Sequence, residues 1–424
     1  MLSNIRNHKV YLILFNVKFI YLKENNSSTN IRIYLKFKQI DKTLFYTKII
    51  MKRLIFLFLL IIPLVSFAQQ RGFYSVNDMS ADEPRLSFGS TKQRTASISL
   101  GDINKDGKID AVVANGRHWP ETNYIFYNYG KGFNTMIPLD NLSSTSYTAE
   151  LADLDNDGDL DIIEINDNAP HRIYLNDGIG NFKFYSEVAE ISNGRNVALG
   201  DLDNNGFTDL IITNRGQQNI ICYNNGKLNF DCVKLQTKQN STIDIAVHDL
   251  NNDGLVDLVL ANRDNIPNEI FINKGNRQFE KKLDFGTGTF ETRSVGIADI
   301  NNDGNLDIVT GNIKSTNIIY FGNKNFTFNE TLAFGNKDTD TFSIALADFN
   351  KDGFMDIVTG NYLKPNTVFI NLNGKSFEEI NLTDKASRTY DVEVGDINSD
   401  GWIDIAVANS DDFNLYYLNI FNKK

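Results

Sequence analysis

The chain has 424 residues, 42% of them apolar, with 7 Pro and 29 Gly, a composition that buries a core and excludes a disordered or collagenous polymer. Its formal net charge is −11, from 42 basic and 53 acidic residues, but residues 1–68 hold 11 of the basic and only 2 of the acidic ones, so the remainder carries 31 against 51, a net of −20. A body of that sign repels phosphate backbones, which argues against nucleic acid as a partner, and attracts cations.

In chain order, residues 1–50 are rich in Asn, Ile, Lys, Tyr and Phe and read as translated AT-rich upstream sequence. Met51 is the expected start, and 1–50 an upstream extension outside the fold. Residues 51–70, MKRLIFLFLLIIPLVSFAQQ, place Lys52 and Arg53 before an apolar run from Leu54 to Val65, followed by Ser66-Phe67-Ala68. This charged, apolar, small-x-small order predicts a signal peptide over 51–68, cut after Ala68, and a secreted or periplasmic product. The run is short against the roughly 20 residues of a membrane span. Gln69, not Cys, follows the cut, so no lipid anchor is expected. No later run is long enough to span, and the chain is expected to end with its last strand, without a sorting or anchoring domain.

The body repeats itself seven times. GDINKDGKIDAVVAN (101–115) is followed by ADLDNDGDLDIIEIN (152–166), GDLDNNGFTDLIITN (200–214), HDLNNDGLVDLVLAN (248–262), ADINNDGNLDIVTGN (298–312), ADFNKDGFMDIVTGN (347–361) and GDINSDGWIDIAVAN (395–409). The leading Asp residues are spaced by 51, 48, 48, 50, 49 and 48. Before each loop, apolar residues alternate with small ones, as in Ile98, Ser99 and Leu100, which is a strand pattern crowded against a neighbour. A second apolar strand follows the loop. A third comes after a variable connection (NYIFYN, HRIYLN, NIICYN), then a turn and an aromatic-led fourth.

Four antiparallel strands every 50 residues or so describe an all-β, seven-bladed β-propeller of four-stranded blades over 72–424. No 3.6-residue period appears, which excludes a helical solenoid, and WD40 and kelch signatures are absent. The seventh unit stops after its third strand, NLYYLNIFNKK. The Phe-Gly pairs Phe285-Gly286 and Phe334-Gly335 each set their Gly 13 residues before a leading Asp, as does Phe88-Gly89. Residues 80–89 are therefore expected to supply the missing outer strand and close the ring. Cys222 and Cys232, the only cysteines, flank a hairpin turn near Gly226-Lys227, where either a cross-strand disulfide or two free thiols fit.

Each loop obeys Asp-x-[Asp/Asn]-x-[Asp/Asn]-Gly-x-x-Asp. Positions 1, 3, 5 and 9 are Asp102, Asn104, Asp106 and Asp110; Asp153, Asp155, Asp157 and Asp161; Asp201, Asp203, Asn205 and Asp209; Asp249, Asn251, Asp253 and Asp257; Asp299, Asn301, Asp303 and Asp307; Asp348, Asn350, Asp352 and Asp356; Asp396, Asn398, Asp400 and Asp404. Alternate side chains of a tight turn can converge, and Gly at position 6 lets the backbone reverse. The set is hard and all-oxygen, suited to Ca²⁺, with Mg²⁺ second because it retains more water. A plain Asx turn accounts for one such loop, but not for Asp at positions 1 and 9 seven times over. These positions hold 22 of the 51 carboxylates, and up to seven Ca²⁺ would bring −20 to −6.

EF-hands and dockerins share the loop core but flank it with helices, and RTX repeats recur every nine residues. With strands on both sides, residues 80–424 resemble the FG-GAP/VCBS repeat family, the propeller type also found in the integrin α-subunit head. The resemblance implies Ca²⁺ in the loops between the first two strands of each blade, on one face. The full FG-GAP cage is only partly present, so the metal sites carry over and an integrin-like partner does not.

The connections between second and third strands vary: 116–122, 167–171, 215–218, 263–267, 313–316, 362–365 and 410–413. Variable loops on a repeated scaffold are where recognition resides. Trp119, Tyr362 and Phe413 are candidates to stack on sugars or partner side chains, and Arg117, Arg215 and Arg263 to engage carboxylates. Asn115, Asn166, Asn214, Asn262, Asn312, Asn361 and Asn409 open these loops and read as a turn requirement. His118, His171 and His248 fall in different blades, and no nucleophile motif or acid pair accompanies them. Glu150 and Glu393 stand where other units have small residues. The expected function is an exported, monomeric, calcium-bearing module that binds a protein or carbohydrate ligand. The competing classes are a lyase-like enzyme on acidic glycans, marked by His, Tyr, Arg and acid converging at one mouth of the channel, and a structural part of a surface complex.

Overall fold

The computed structural model describes residues 10–15, 17–23, 32–34, 72–74, 86–236, 238–286 and 291–421. The chain divides into two compact units, Met1–Ala68 and Gln69–Lys424. In the first, Val10–Phe15, Val17–Lys23 and Arg32–Tyr34 form an antiparallel three-stranded sheet. The expected signal segment, 51–68, lies outside the described residues.

The second unit is built of antiparallel strands and, among the described residues, no helix. Blade 1 is Gln93–Gly101, Asp110–Asn115, Tyr124–Tyr127 and Thr135–Pro138. Blade 2 is Ser146–Ala152, the two arms of Asp161–Asn176 and the start of Phe182–Gly200, whose end opens blade 3 with Asp209–Gln217, Ile220–Asn224 and Phe230–Lys234. Blade 4 is Asn240–His248, Asp257–Asn262, Asn268–Asn273 and Phe279–Phe285. Blade 5 is Glu291–Ala298, Asp307–Ile313, Asn317–Phe321 and Glu330–Phe334. Blade 6 is Asp340–Ala347, Asp356–Lys364, Thr367–Asn371 and Phe377–Asn381. Blade 7 is Ser387–Gly395, Asp404–Asp412 and Leu415–Asn419. One register recurs in all seven: the residue before the leading Asp faces the Asp at position 9, from Gly101↔Asp110 to Gly395↔Asp404.

The last blade takes strand partners from the N-terminal side; of the expected segment 80–89, residues 80–85 lie outside the described residues. Phe73–Tyr74 pairs with Asn419 and Leu418, Ser87 bridges Leu415, and Phe88 N–H donates to Asn414 C=O. Aromatic packing fixes both pieces: Phe73 meets Phe349 and Phe421 edge-on, and Phe88 stacks on Phe133 with a centroid separation of 4.2 Å. The core lies between blades rather than within them. One cluster joins Ile98, Val113 and Phe126 of blade 1 to Phe88 and to Ile397, Ala406 and Tyr416 of blade 7. Position 2 of every acidic loop, from Ile103 to Ile397, plugs such a seam and is at most 7% exposed.

Several connections expected to be open loops are part of the sheets. Residues 167–171 pair with 188–193 inside blade 2. Arg215 and Gln217, Tyr362 and Lys364, and Ser410 and Asp412 pair with the innermost strand of the following blade, the last of these joining blade 7 to blade 1. Backbone groups at a blade seam must find partners, and extending the second strand satisfies them.

The Asn at the head of each connection is structural, as expected. Asn115 accepts from Thr95 Oγ1 and donates to Thr122 C=O, and Asn409 does the same with Thr389 and Phe413. A second Asn ends the third strand and ties it to the preceding blade's loop: Asn176 to Ile103 C=O, Asn224 to Leu154, Asn371 to Ile300 and, across the first and last blades, Asn128 to Ile397.

Candidate functional site

All seven acidic loops adopt one backbone. Position 4 (Lys105, Asn156, Asn204, Asn252, Asn302, Lys351, Ser399) lies at φ 55–60°, and the Gly at position 6 at φ 81–90°. Left-handed geometry at a non-Gly residue costs on the order of 1 kcal/mol, so the loop holds it by side-chain bonds. In the second loop, Asp153 accepts Asp157 N–H at 3.1 Å on one oxygen and Gly158 N–H at 2.9 Å on the other. Asp161, 1% exposed, accepts Leu154 N–H at 3.0 Å and Asn176 N–H at 2.9 Å.

Asp153, Asp155 and Asp161 bring three carboxylate oxygens within 4.8 Å of one another, and so do Asp201, Asp203 and Asp209. In the other five loops position 3 is Asn, which presents an amide oxygen instead. Burial raises Asp161 to about 6, with Asp155 and Asp157 adding to the shift against the two amides. Buried carboxylates at this spacing repel one another unless a cation stands between them, and an oxygen that accepts one N–H keeps a second lone pair for a metal. The donor set therefore fits a hard divalent cation. Position 5 departs from the expected ligand set. Asp157 is outside the convergent group, and its Oδ1 accepts Asp159 N–H at 2.9 Å in an Asx turn. Asn205 is turned away, donating to Asn224 C=O at 2.8 Å. In the same loop Arg277 already pairs with Asp203 at 2.8 Å.

The innermost strands enclose a central cavity of about 250 Å³. The residue six positions before each leading Asp lines it: Ala96, Tyr147, Arg195, Ile243, Arg293, Phe342 and Tyr390. One residue further along, side-chain oxygens lock neighbouring blades. Ser97 accepts Ala149 N–H, Ser294 accepts Ile344, Ser343 accepts Val392, and Asp391 closes the circle by accepting Ile98 N–H at 3.1 Å. Glu150 and Glu393 line the cavity as well. Burial raises Glu150 to about 7 and holds Glu393 well above the usual carboxylate range.

Residues expected to recognise a ligand are placed unevenly. Arg117 reaches inward, 3.7 Å over the Tyr390 ring, with Nη2 donating to Ser410 Oγ at 2.9 Å. Tyr362 stacks on Phe342 at 5.0 Å and meets Tyr390 edge-on. Trp119 is 65% exposed. Arg215 and Arg263 each pair with an acid of the next blade, Asp264 and Glu291. Phe413 is capped by Lys92 at 5.1 Å. Cys222 and Cys232 face each other across the hairpin and are joined in a disulfide.

His118 bridges two blades. Its Nδ1 meets Asp167 at 2.8 Å and its Nε2 meets the Tyr147 hydroxyl at 2.9 Å. Arg195 lies 4.2 Å over the Tyr147 ring and pairs with Asp167 at 2.8 Å. Burial raises the Tyr147 phenol while Arg195 opposes the shift. The repeat itself carried the missing signal, since His118 and Asp167 are one repeat apart and Tyr147, Arg195 and Arg293 share one repeat position. His171 replaces the usual third-strand Asn, accepting Asn166 N–H, and burial lowers it to about 4. His248 contacts only Asp249 C=O at the strand end.

The FG-GAP-like repeat model matches residues 102–164, 153–212, 249–310, 299–359 and 350–407. Among solved structures, the chain is similar to BBS1N in two crystals of BBS1N in complex with ARL6DN. The one soaked with lead gives a TM-score of 0.56 at 10% identity over 82% of this chain and 98% of that one; the one soaked with mercury gives 0.54 at 9% over 82% and 96%. It is also similar to YCF48 from Cyanidioschyzon merolae, with a TM-score of 0.51 at 11% identity over 77% of this chain and 96% of that one. No curated protein matches the sequence. Likeness at such identities speaks to fold alone, while the family matches span more than half of the sequence. The chain belongs to the FG-GAP-like repeat family.

Proposed function

We propose that this protein is an exported, calcium-bearing propeller that binds a protein partner. The observation that carries the calcium reading is the convergence of Asp153, Asp155 and Asp161, and of Asp201, Asp203 and Asp209, in loops that recur once per blade. Binding is supported by the scaffold: BBS1N, a structural neighbour, is in complex with ARL6DN. Export is supported by the leader-like segment 51–68 and by the Cys222–Cys232 disulfide, a bond that persists in oxidising compartments. The test is thermal melting of the purified chain in Ca²⁺ and in excess chelator, with metal analysis of the same sample. A melting temperature unmoved by chelation rejects the calcium reading. Expressed with its leader, the protein is expected outside the cytoplasm with Gln69 as its first residue.

A second reading is favoured by one observation, the Asp167–His118–Tyr147 relay beside Arg195. Histidine and tyrosine can move a proton from the carbon next to a sugar carboxylate to the departing glycosidic oxygen, leaving an unsaturated sugar. An ultraviolet assay for that product on acidic glycans, with Tyr147→Phe as control, decides it.

A further inference from the structure

We propose that the mouth of the central channel binds a sugar acid, its carboxylate held by Arg293 and Arg117 and its hydroxyls by Glu150 and Glu393 beneath. The proposal goes beyond the protein-partner reading and depends neither on that partner nor on calcium.

Arg293 makes no ion pair or hydrogen bond among the described residues, and its Nε is buried without a partner. Its guanidinium lies 4.2 Å over the Phe342 ring and 6.0 Å from that of Tyr390, whose ring Arg117 approaches at 3.7 Å. Arg117 likewise has a buried, unpartnered Nε and no carboxylate. The neighbouring arginines do have one: Arg195 holds Asp167, Arg215 Asp264, Arg263 Glu291 and Arg388 Asp411. In a body of net charge −20, two guanidinium groups kept free of acid around one aromatic ring form a built anion site. A planar guanidinium fork matches a carboxylate; Arg293 has its donors unpaired among the described residues, while Arg117 gives Nη2 to Ser410 Oγ.

The rest of the cavity selects what carries the carboxylate. Arg293, Glu150 and Glu393 line the same space of about 250 Å³, which takes one small molecule or one terminal residue of a polymer. Glu150 and Glu393 are kept towards their neutral form by burial, so they hydrogen-bond hydroxyls better than they pair with an ammonium. A hydroxylated carboxylate satisfies both ends, whereas a neutral sugar leaves the arginines unpaired and an amino acid brings the wrong charge to the acids.

The test is calorimetric titration of the full chain, in Ca²⁺, with sodium glucuronate, glucose and glutamate. Glucuronate is expected to bind, and glucose and glutamate at least about tenfold more weakly. Arg293→Gln is expected to lose about tenfold or more, as removal of a charge-assisted contact does, with Arg293→Lys between the two. Arg117→Gln repeats the test should Arg293→Gln fail to fold. Glucose or glutamate binding as tightly as glucuronate, binding unchanged in both Gln variants, or no glucuronate binding at millimolar concentration overturns the proposal. Melting in chelator separates the two readings: calcium can stabilise a chain that binds no sugar acid, and the reverse.

Discussion

Asn414 donates its side-chain amide to the hydroxyl of Thr95 at 2.8 Å, across 319 residues of chain. The same bond joins Asn219 to Thr242, Asn268 to Thr292 and Asn317 to Thr341, so blade 7 meets blade 1 as any blade meets the next. Asn414 also accepts Asn409 N–H at 2.8 Å, and Thr95 donates to Asn115. Removing either partner leaves a buried polar group unmet, at about 1–3 kcal/mol. Thr95→Val and Asn414→Ala should each lower urea stability by that amount, and the double variant by less than the sum. Strict additivity would show that the two side chains do not act together.

Positions 9 and 5 of the acidic loops should respond differently. Asp161 accepts two buried amides, and an Asn in its place can accept only one, whereas Asp157 serves an exposed turn. Asp161→Asn is expected to cost about 2–3 kcal/mol in chelator and more in Ca²⁺, where a ligand oxygen is weakened as well, and Asp157→Asn under about 1 kcal/mol in chelator. Melting both variants in Ca²⁺ and in chelator checks this; equal losses would mean that the buried tie carries no extra weight.

These contrasts mark what was legible in the sequence. The loop spacing revealed the strands on either side of each Asp, because a repeated unit repeats its apolar pattern. Arg293 was not legible: it stands on an innermost strand two residues upstream of the alternating apolar pair, and only packing between blades brings it beside Phe342 and Tyr390. The acid that partners His118 was not legible for the same reason, since it lies on the next blade. Connections such as 362–365 looked variable and open because their partners, Arg388 and Ser387, belong to another unit.

The channel acids predict a pH dependence. Burial raises Glu150 from 4.5 to about 7 and Asp391 from 3.8 to about 6. The folded state therefore holds these protons more tightly than the unfolded chain. Their contribution is fully present below about pH 4 and is lost as pH rises through 6 to 7. His171 acts the other way: folded near 4 against 6.5 unfolded, it costs stability as pH falls below 6.5. Comparing the wild type with Glu150→Gln cancels that term. In saturating Ca²⁺ the variant should gain on the wild type by on the order of 1–3 kcal/mol between pH 5 and pH 8. A constant difference across that range would contradict a raised Glu150.

The third acidic loop should take up metal last. Its position 5 is Asn205, turned towards Asn224 C=O, and its position 3 carboxylate, Asp203, is held by Arg277 at 2.8 Å. Arg277 is anchored in turn by Asp231 at 3.1 Å and by the Tyr223 ring at 4.3 Å. A divalent cation entering between Asp201, Asp203 and Asp209 must displace a guanidinium that supplies much of the same charge compensation, so its net gain there is smaller than in the second loop. A calcium titration followed by metal analysis is therefore expected to saturate one site below the number of loops at concentrations that fill the others. Arg277→Gln removes the competitor and should restore the missing ion. Full uptake by the wild type, or uptake unchanged in the variant, would show that the guanidinium and the cation do not compete.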